Sequence, residues 1–320
     1  MRLSTFFALA LCVASALSMP AVAQADKPFL PAATHDLTSA EGLTYRIIVA
    51  PPAGPAPAAG YPVIYIVDGN AWTMLASEVI RTNLDFGTRA KVEPAVVVGV
   101  GYPIDSAFDL TRRTTDLTTP SAVASDLKWG RVGGYEAMIR FIQERVKPDI
   151  EKRFRIDKGR QTLAGHSLGG LFTLRTLMNH PDWYQNYLAL SPSIWWNDAA
   201  LLKEAAALDA SSPQRKARVY LGIGQLEQYY TPQFLKETEA GLRARAAADP
   251  ATLGGKSVEA IMSEIEKGAS KAKMVDNARQ MAKILHEKGM DVKFDAFPEE
   301  DHFSVLASEF ARAVPFALRK

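Results

Sequence analysis

Gly165-His166-Ser167-Leu168-Gly169-Gly170 stands between an apolar run at residues 161–164 and a helix-forming run at residues 171–178. A G-x-S-x-G pattern in that setting reads as a nucleophile elbow: a strand, a very tight turn, then a helix. The glycines are needed because a side chain at Gly165 or Gly169 is expected to collide with neighbouring backbone. The strain of the turn holds Ser167 where a carbonyl can reach it. The helix that follows aims its N-terminus at the same spot, which favours a developing oxyanion. The alternative is a glycine-rich strand-to-helix turn whose serine only caps the helix.

On either side of the elbow, apolar runs of strand length alternate with helical patterns. Strands are expected at residues 44–49, 63–67, 95–100, 161–164, 187–190, 218–224 and 292–297. Helices are expected at 71–84, 134–153, 171–179 and 302–318. Residues 232–248 and 258–287 are helix-rich and form a helical insertion, at about 232–287, before the last strand. The alternation predicts an α/β fold with a mainly parallel central sheet and helices on both faces. Residues 51–62 form an exposed loop rich in Pro, Gly and Ala. Residues 101–129 are long and irregular, a length that usually signals function. No linker divides residues 26–320, which read as one domain.

The 320-residue chain opens with a leader at residues 1–25: Arg2, an apolar stretch at 6–17, and the small-x-small site Ala23-Gln24-Ala25. The stretch is short for a bilayer span, so the expectation is a periplasmic or secreted protein without a stable membrane anchor. Cys12 is the sole cysteine and lies in the leader, so no disulfide framework is expected in the mature chain. Hydrophobic residues make up 48% of the chain, enough for a sizeable core, and the net charge of +2 gives no reason to expect nucleic acid as partner. No H-E-x-x-H, EF-hand or His cluster is present, and no Lys-Ser/Thr follows the glycine-rich turn. Neither a metal nor a cofactor is expected.

A serine hydroxyl needs a base, and the base needs a group to orient it. Of five histidines, His35 lies near the mature N-terminus and His166 adjoins the nucleophile. His180 ends the elbow helix and His286 sits in a solvated one. His302 follows the last strand, where folds with such an elbow place the base. The expected order is Ser, acid, His. Glu227, after the strand at 218–224, is the expected acid, with Asp198 as rival. Glu299, Glu300 and Asp301 read as solvated loop charges. Two backbone donors complete the site: the N–H of Leu168, and one from Gly69 or Asn70 in the turn after residues 63–67.

Six segments carry a resemblance to a known family: residues 65–70 (Tyr-Ile-Val-Asp-Gly-Asn), 98–103 (Val-Gly-Val-Gly-Tyr-Pro), 112–118 (Arg-Arg-Thr-Thr-Asp-Leu-Thr), 163–170, 191–196 (Ser-Pro-Ser-Ile-Trp-Trp) and 301–303 (Asp-His-Phe). In this order they resemble the α/β-hydrolase branch that includes the enterobactin, salmochelin and bacillibactin esterases. The resemblance implies an α/β-hydrolase fold and serine esterase chemistry on a small-molecule ester, a ferric catecholate trilactone such as ferric enterobactin. It also leaves a Ser–His dyad open. For a trianionic, flat-faced substrate, Arg112 and Arg113 are candidate anion contacts and Trp195 and Trp196 candidate aromatic walls. The alternatives are an Arg paired with Asp109 or Asp116, and a Trp in the core. Competing readings are a general or feruloyl-type carboxylesterase and a periplasmic siderophore-binding protein without catalysis. Oligomeric state is not legible.

Overall fold

The computed structural model describes residues 32–86, 91–127, 130–209, 211–229, 232–249, 253 and 255–319. The expected leader, with its cleavage site and Cys12, lies outside them, as does Trp129. Eight strands, β1 (Ala33–Thr38), β2 (Thr44–Ala50), β3 (Tyr61–Val67), β4 (Val96–Gly101), β5 (Ile156–His166), β6 (Asn186–Leu190), β7 (Arg218–Gly224) and β8 (Asp291–Phe297), form one sheet. Its order is β1-β2-β4-β3-β5-β6-β7-β8. β1 and β2 run antiparallel to their neighbours, and the pairings from β4 to β8 are parallel.

The helices are α1 (Gly69–Asp85), α2 (Leu110–Asp116), α3 (Ala124–Leu127), α4 (Tyr135–Phe141), α5 (Lys147–Arg153), α6 (Leu168–Asn179), α7 (Trp196–Ala207), α8 (Pro232–Ala248), α9 (Val258–Ala272), α10 (Met274–Glu287) and α11 (Leu306–Leu318). Period-two alternation assigns the strand side chains to two cores. Val63, Tyr65 and Val67 of β3 join α4, α6, α7 and α10 on one face. Ile64 and Ile66 join α1 and α11 on the other. Each such fully buried aliphatic contributes roughly 1.5–3 kcal/mol. The α/β class and the doubly covered, mainly parallel sheet match the expectation.

The chain leaves β3 for β4 on one side and then crosses to β5 on the other. The crevice at the C-terminal ends of β3 and β5 is therefore a topological switch point, where open α/β sheets bind ligands. α1 starts directly from β3 and α6 directly from β5, so both helix N-termini face that crevice.

Several elements differ from expectation. β1 was not foreseen because Ala-Thr-His-Asp-Leu-Thr is polar, as suits an exposed edge strand. α2 and α3 lie inside the segment expected to be irregular. The helix expected at 134–153 contains a π turn at Ile142–Val146, just before Pro148. Proline has no N–H and crowds the carbonyl four residues back, which a wider turn relieves. In the segment 232–287, α10 packs against β7, β8 and α7, leaving α8 and α9 as the excursion.

The elbow is as tight as its sequence requires. A Cβ on Gly165 would lie 2.4 Å from the carbonyl oxygen of Gly169. Gly165→Ala is expected to lower the unfolding free energy by about 1–3 kcal/mol or more, whereas Gly241→Ala, in the open interior of α8, should raise it by about 0.5–1 kcal/mol. Urea denaturation of the two variants measures both, and a Gly165→Ala protein as stable as wild type would contradict the packing described.

Candidate active site

Ser167 connects β5 to α6 with φ 62° and ψ −119°, a backbone state that L residues avoid. Its N–H donates to Leu190 O at 3.0 Å. Its carbonyl accepts from Ser193 N–H at 3.0 Å and Leu171 N–H at 3.1 Å. The side-chain hydroxyl lies 3.4 Å from Ser193 Oγ and makes no hydrogen bond to His302 in this structure. Apo sites commonly hold such contacts loosely.

His302 lies in the turn between β8 and α11, beside the elbow. Its ring centroid is 4.4 Å from that of His166. His166 Nε2–H donates to the backbone carbonyl of His302 at 2.9 Å. Because a carbonyl only accepts, that contact fixes the proton of His166 on Nε2. Burial, then the neighbouring charges of His302 and Arg113, hold the His166 imidazole well below its usual range, so it stays a neutral donor. His166 was set aside in the sequence as a base. It instead ties the elbow turn to the turn that carries His302. The signal was its position beside Ser167, but its partner is 136 residues away.

Glu227 ends the 3₁₀ turn Gln225–Glu227 after β7 and is almost wholly enclosed. Its Oε2 accepts from His302 Nδ1 at 2.5 Å. Its Oε1 accepts from Gly224 N–H at 2.7 Å and from Ser191 Oγ at 2.6 Å. The acid turn and the base turn are also joined by Leu226 N–H to Glu300 O at 3.0 Å. Nδ1 is thus engaged, which leaves Nε2 for a serine. The rival Asp198 is 87% exposed and faces Lys203. Asp301 accepts from Phe303 and Ser304 N–H within its own turn. His35 pairs with Asp149, His180 stacks on Trp183, and His286 is exposed at the end of α10.

Leu168, Gly69 and Asn70 occupy the first turns of α6 and α1, where N–H groups have no intrahelical acceptor. The Asn70 side chain is committed elsewhere: Oδ1 accepts from Tyr102 N–H at 2.8 Å, and Nδ2 donates to Tyr102 O and Ile104 O. Gly69 is glycine because α1 lies hard on β4. A Cβ there would be 2.5 Å from the carbonyl carbon of Gly99.

Three of the expected substrate contacts have partners within the fold. The Arg112 guanidinium is stacked over Tyr45 and Tyr102 at 4.5 and 4.9 Å and donates to Thr44 O. Arg113 is 11% exposed, and its Nε and Nη2 form a forked pair with the fully buried Asp68 carboxylate. Both arginines bind α2 to the sheet, Arg112 at β2 and Arg113 at the end of β3, and the Arg113 charge is neutralised. Trp196 is buried, with Nε1 donating to Thr119 O at 3.1 Å. Trp195 is half-buried against the core, its ring 5.9 Å from that of Trp196. Exposed aromatic surface appears instead at Phe303, whose ring is 5.3 Å from that of His302, and at Tyr229, two residues past Glu227. Ser191 and Ser193 were also missed as site residues. The Ser-Pro-Ser motif they bracket touches Glu227 at one end and Ser167 at the other.

A family model described as "Putative esterase" matches residues 40–258. Among curated proteins, the chain is 34% identical over 289 residues to a ferri-bacillibactin esterase, BesA, of Bacillus subtilis, covering 87% of this chain and 86% of that one. It is 31% identical over 270 residues to a siderophore enterobactin esterase of Emericella nidulans, covering 79% and 80%. Among solved structures, the BES protein of Bacillus cereus superposes with a TM-score of 0.71 at 28% identity, covering 99% of this chain and all of that one.

Two variants probe the assignments. Glu227→Gln is expected to keep the fold and lower kcat by about 10³–10⁴, since the imidazole loses the carboxylate that sets its tautomer. Near-native turnover would move the acid's role elsewhere. Arg113→Ala leaves Asp68 buried and unpaired and is expected to cost about 3–5 kcal/mol of stability, with anionic and neutral esters slowed alike. A KM rise confined to anionic esters would restore Arg113 as a substrate contact.

Proposed function

Because this chain belongs to the esterase family described as "Putative esterase", we propose that it is a serine esterase acting on the ester bonds of ferric catecholate trilactones, the class to which enterobactin and bacillibactin belong. The observation that carries the reading is the hydrogen-bonded Glu227–His302 pair, tied through His166 to the elbow that carries Ser167.

In the proposed cycle, Ser167 Oγ attacks a lactone carbonyl while His302 Nε2 takes its proton. Negative charge on the carbonyl oxygen is met by the N–H of Leu168 and by that of Gly69 or Asn70, each donor being worth about 3 kcal/mol at the transition state. The ester C–O bond breaks, His302 returns the proton to the leaving alkoxide, and the chain is left acylated on Ser167. Water, deprotonated by His302, then releases the acid. The triester ring opens with no redox change, which weakens a hexadentate iron complex by loosening the ring that pre-organises its three arms.

The exposed rings of Phe303 and Tyr229 support a substrate with flat aromatic faces. The apolar leader at residues 6–17 supports export, with the periplasm as the expected compartment.

Purified protein incubated with ferric and iron-free enterobactin and bacillibactin, and in parallel with feruloyl and short acyl esters, tests the substrate. Mass spectrometry is expected to show linear trimer, dimer and monomer from the trilactones, and none with Ser167→Ala. Turnover of only the feruloyl or acyl esters would replace the siderophore reading.

A further inference from the structure

Glu309 takes no part in the cycle above, yet it stands one hydroxyl away from it. It projects from α11 and is wholly buried. Its Oε1 accepts from Ser191 N–H at 3.0 Å and lies 3.1 Å from Ser191 Oγ. Ser191 Oγ lies 2.6 Å from Glu227 Oε1. A Cβ on Gly222 would fall 2.6 Å from Glu309 Oε1, so β7 itself leaves space for this carboxyl. Among the described residues Glu309 Oε2 has no hydrogen-bond partner.

Counting protons orders the cluster. Ser191 has one hydroxyl hydrogen. Glu227 accepts from Gly224 N–H and His302 Nδ1, and the shorter of the two Ser191 contacts is also to Glu227. Giving the Ser191 hydrogen to Glu227 leaves a lone pair of Ser191 Oγ facing Glu309 Oε1. Two bare acceptors at 3.1 Å repel, and a hydrogen on Glu309 makes the contact a bond. The reverse assignment presses Ser191 Oγ against the Glu227 carboxylate at 2.6 Å with no hydrogen between them.

We infer that Glu309 is a positioning residue that works as an un-ionised carboxylic acid, donating to Ser191, which donates to Glu227, which receives His302. The inference rests on the proposed roles of Glu227 and His302. The donors run one way along the chain, and hydrogen bonds so aligned polarise one another. They hold the Glu227 carboxylate in one orientation while the cluster carries a single negative charge. Burial, and then the charge of Glu227, push the Glu309 carboxyl well above the usual range, consistent with the geometry. Nearby, Tyr220 on β7 lies in the field of Glu309, of Arg312 on α11, and of Asp295 on β8, to which its hydroxyl donates at 2.9 Å.

The test has two independent readouts. Infrared difference spectra at pH 8 are expected to show the carbonyl band of an un-ionised carboxylic acid in wild type, lost in Glu309→Gln and displaced in Ser191→Ala. The band should persist in the inactive Ser167→Ala protein, so it stands or falls apart from esterase activity. In kinetics on a nitrophenyl ester, Glu309→Gln and Ser191→Ala are expected to lower kcat several-fold or more at unchanged KM. The acid limb of the Glu309→Gln pH profile should stay in place, since one neutral group replaces another. Absence of the band, or an acid limb displaced to lower pH in Glu309→Gln, would show an ionised Glu309 and overturn the inference. Full kcat in Ser191→Ala would also overturn it. Full activity in Glu227→Gln would remove the triad itself, a separate failure.

Discussion

Every part of the catalytic edge depends on the backbone of Ser167. Its φ and ψ cost on the order of 1–3 kcal/mol relative to an ordinary strand or helix residue. The turn persists because it is over-determined from both sides. β6 holds its N–H, the Ser-Pro-Ser turn and α6 hold its carbonyl, and Gly165 lies against Gly169 with no room for a methyl group. Relaxing the turn would break all of these contacts together. Ser167 is therefore placed by the packing of the sheet and not by its own preferences.

Around that point, buried polar groups are arranged in pairs and chains. Asp68 precedes α1 in a left-handed conformation and is neutralised by the Arg113 fork. His166 is kept neutral and used as a donor. Glu227 is surrounded by donors. Each arrangement satisfies groups that would otherwise be costly to bury. The same contacts place the turns that carry Glu227 and His302 beside one another.

Much of this was legible beforehand. β3, β4, β6 and β7 are nearly continuous aliphatic runs, the pattern of strands covered on both faces. The elbow, Glu227 and His302 follow from turn chemistry and chain order. What was not legible depended on partners remote in sequence. Arg112 and Arg113 look like anion receptors in a loop, and only the fold brings Tyr45, Tyr102 and Asp68 against them. Trp196 looks like a site aromatic until the segment around Thr119 covers it. Glu309 left a fainter trace: it occupies the apolar phase of α11 with Phe310, Ala313 and Ala317, where an unpaired carboxylate does not belong. β1 left none, because an edge strand needs no hydrophobic face.

The two arginines have a consequence for how such a molecule can change. They act as pegs on the inner side of the segment between β4 and α4, one on β2 and one on the end of β3. Leu110 and Leu127, carried by the same segment, are exposed. That segment is thus fixed from below and uncovered above. Its outer surface can therefore vary without disturbing either peg, so freedom to change and duty to hold the fold fall on different residues.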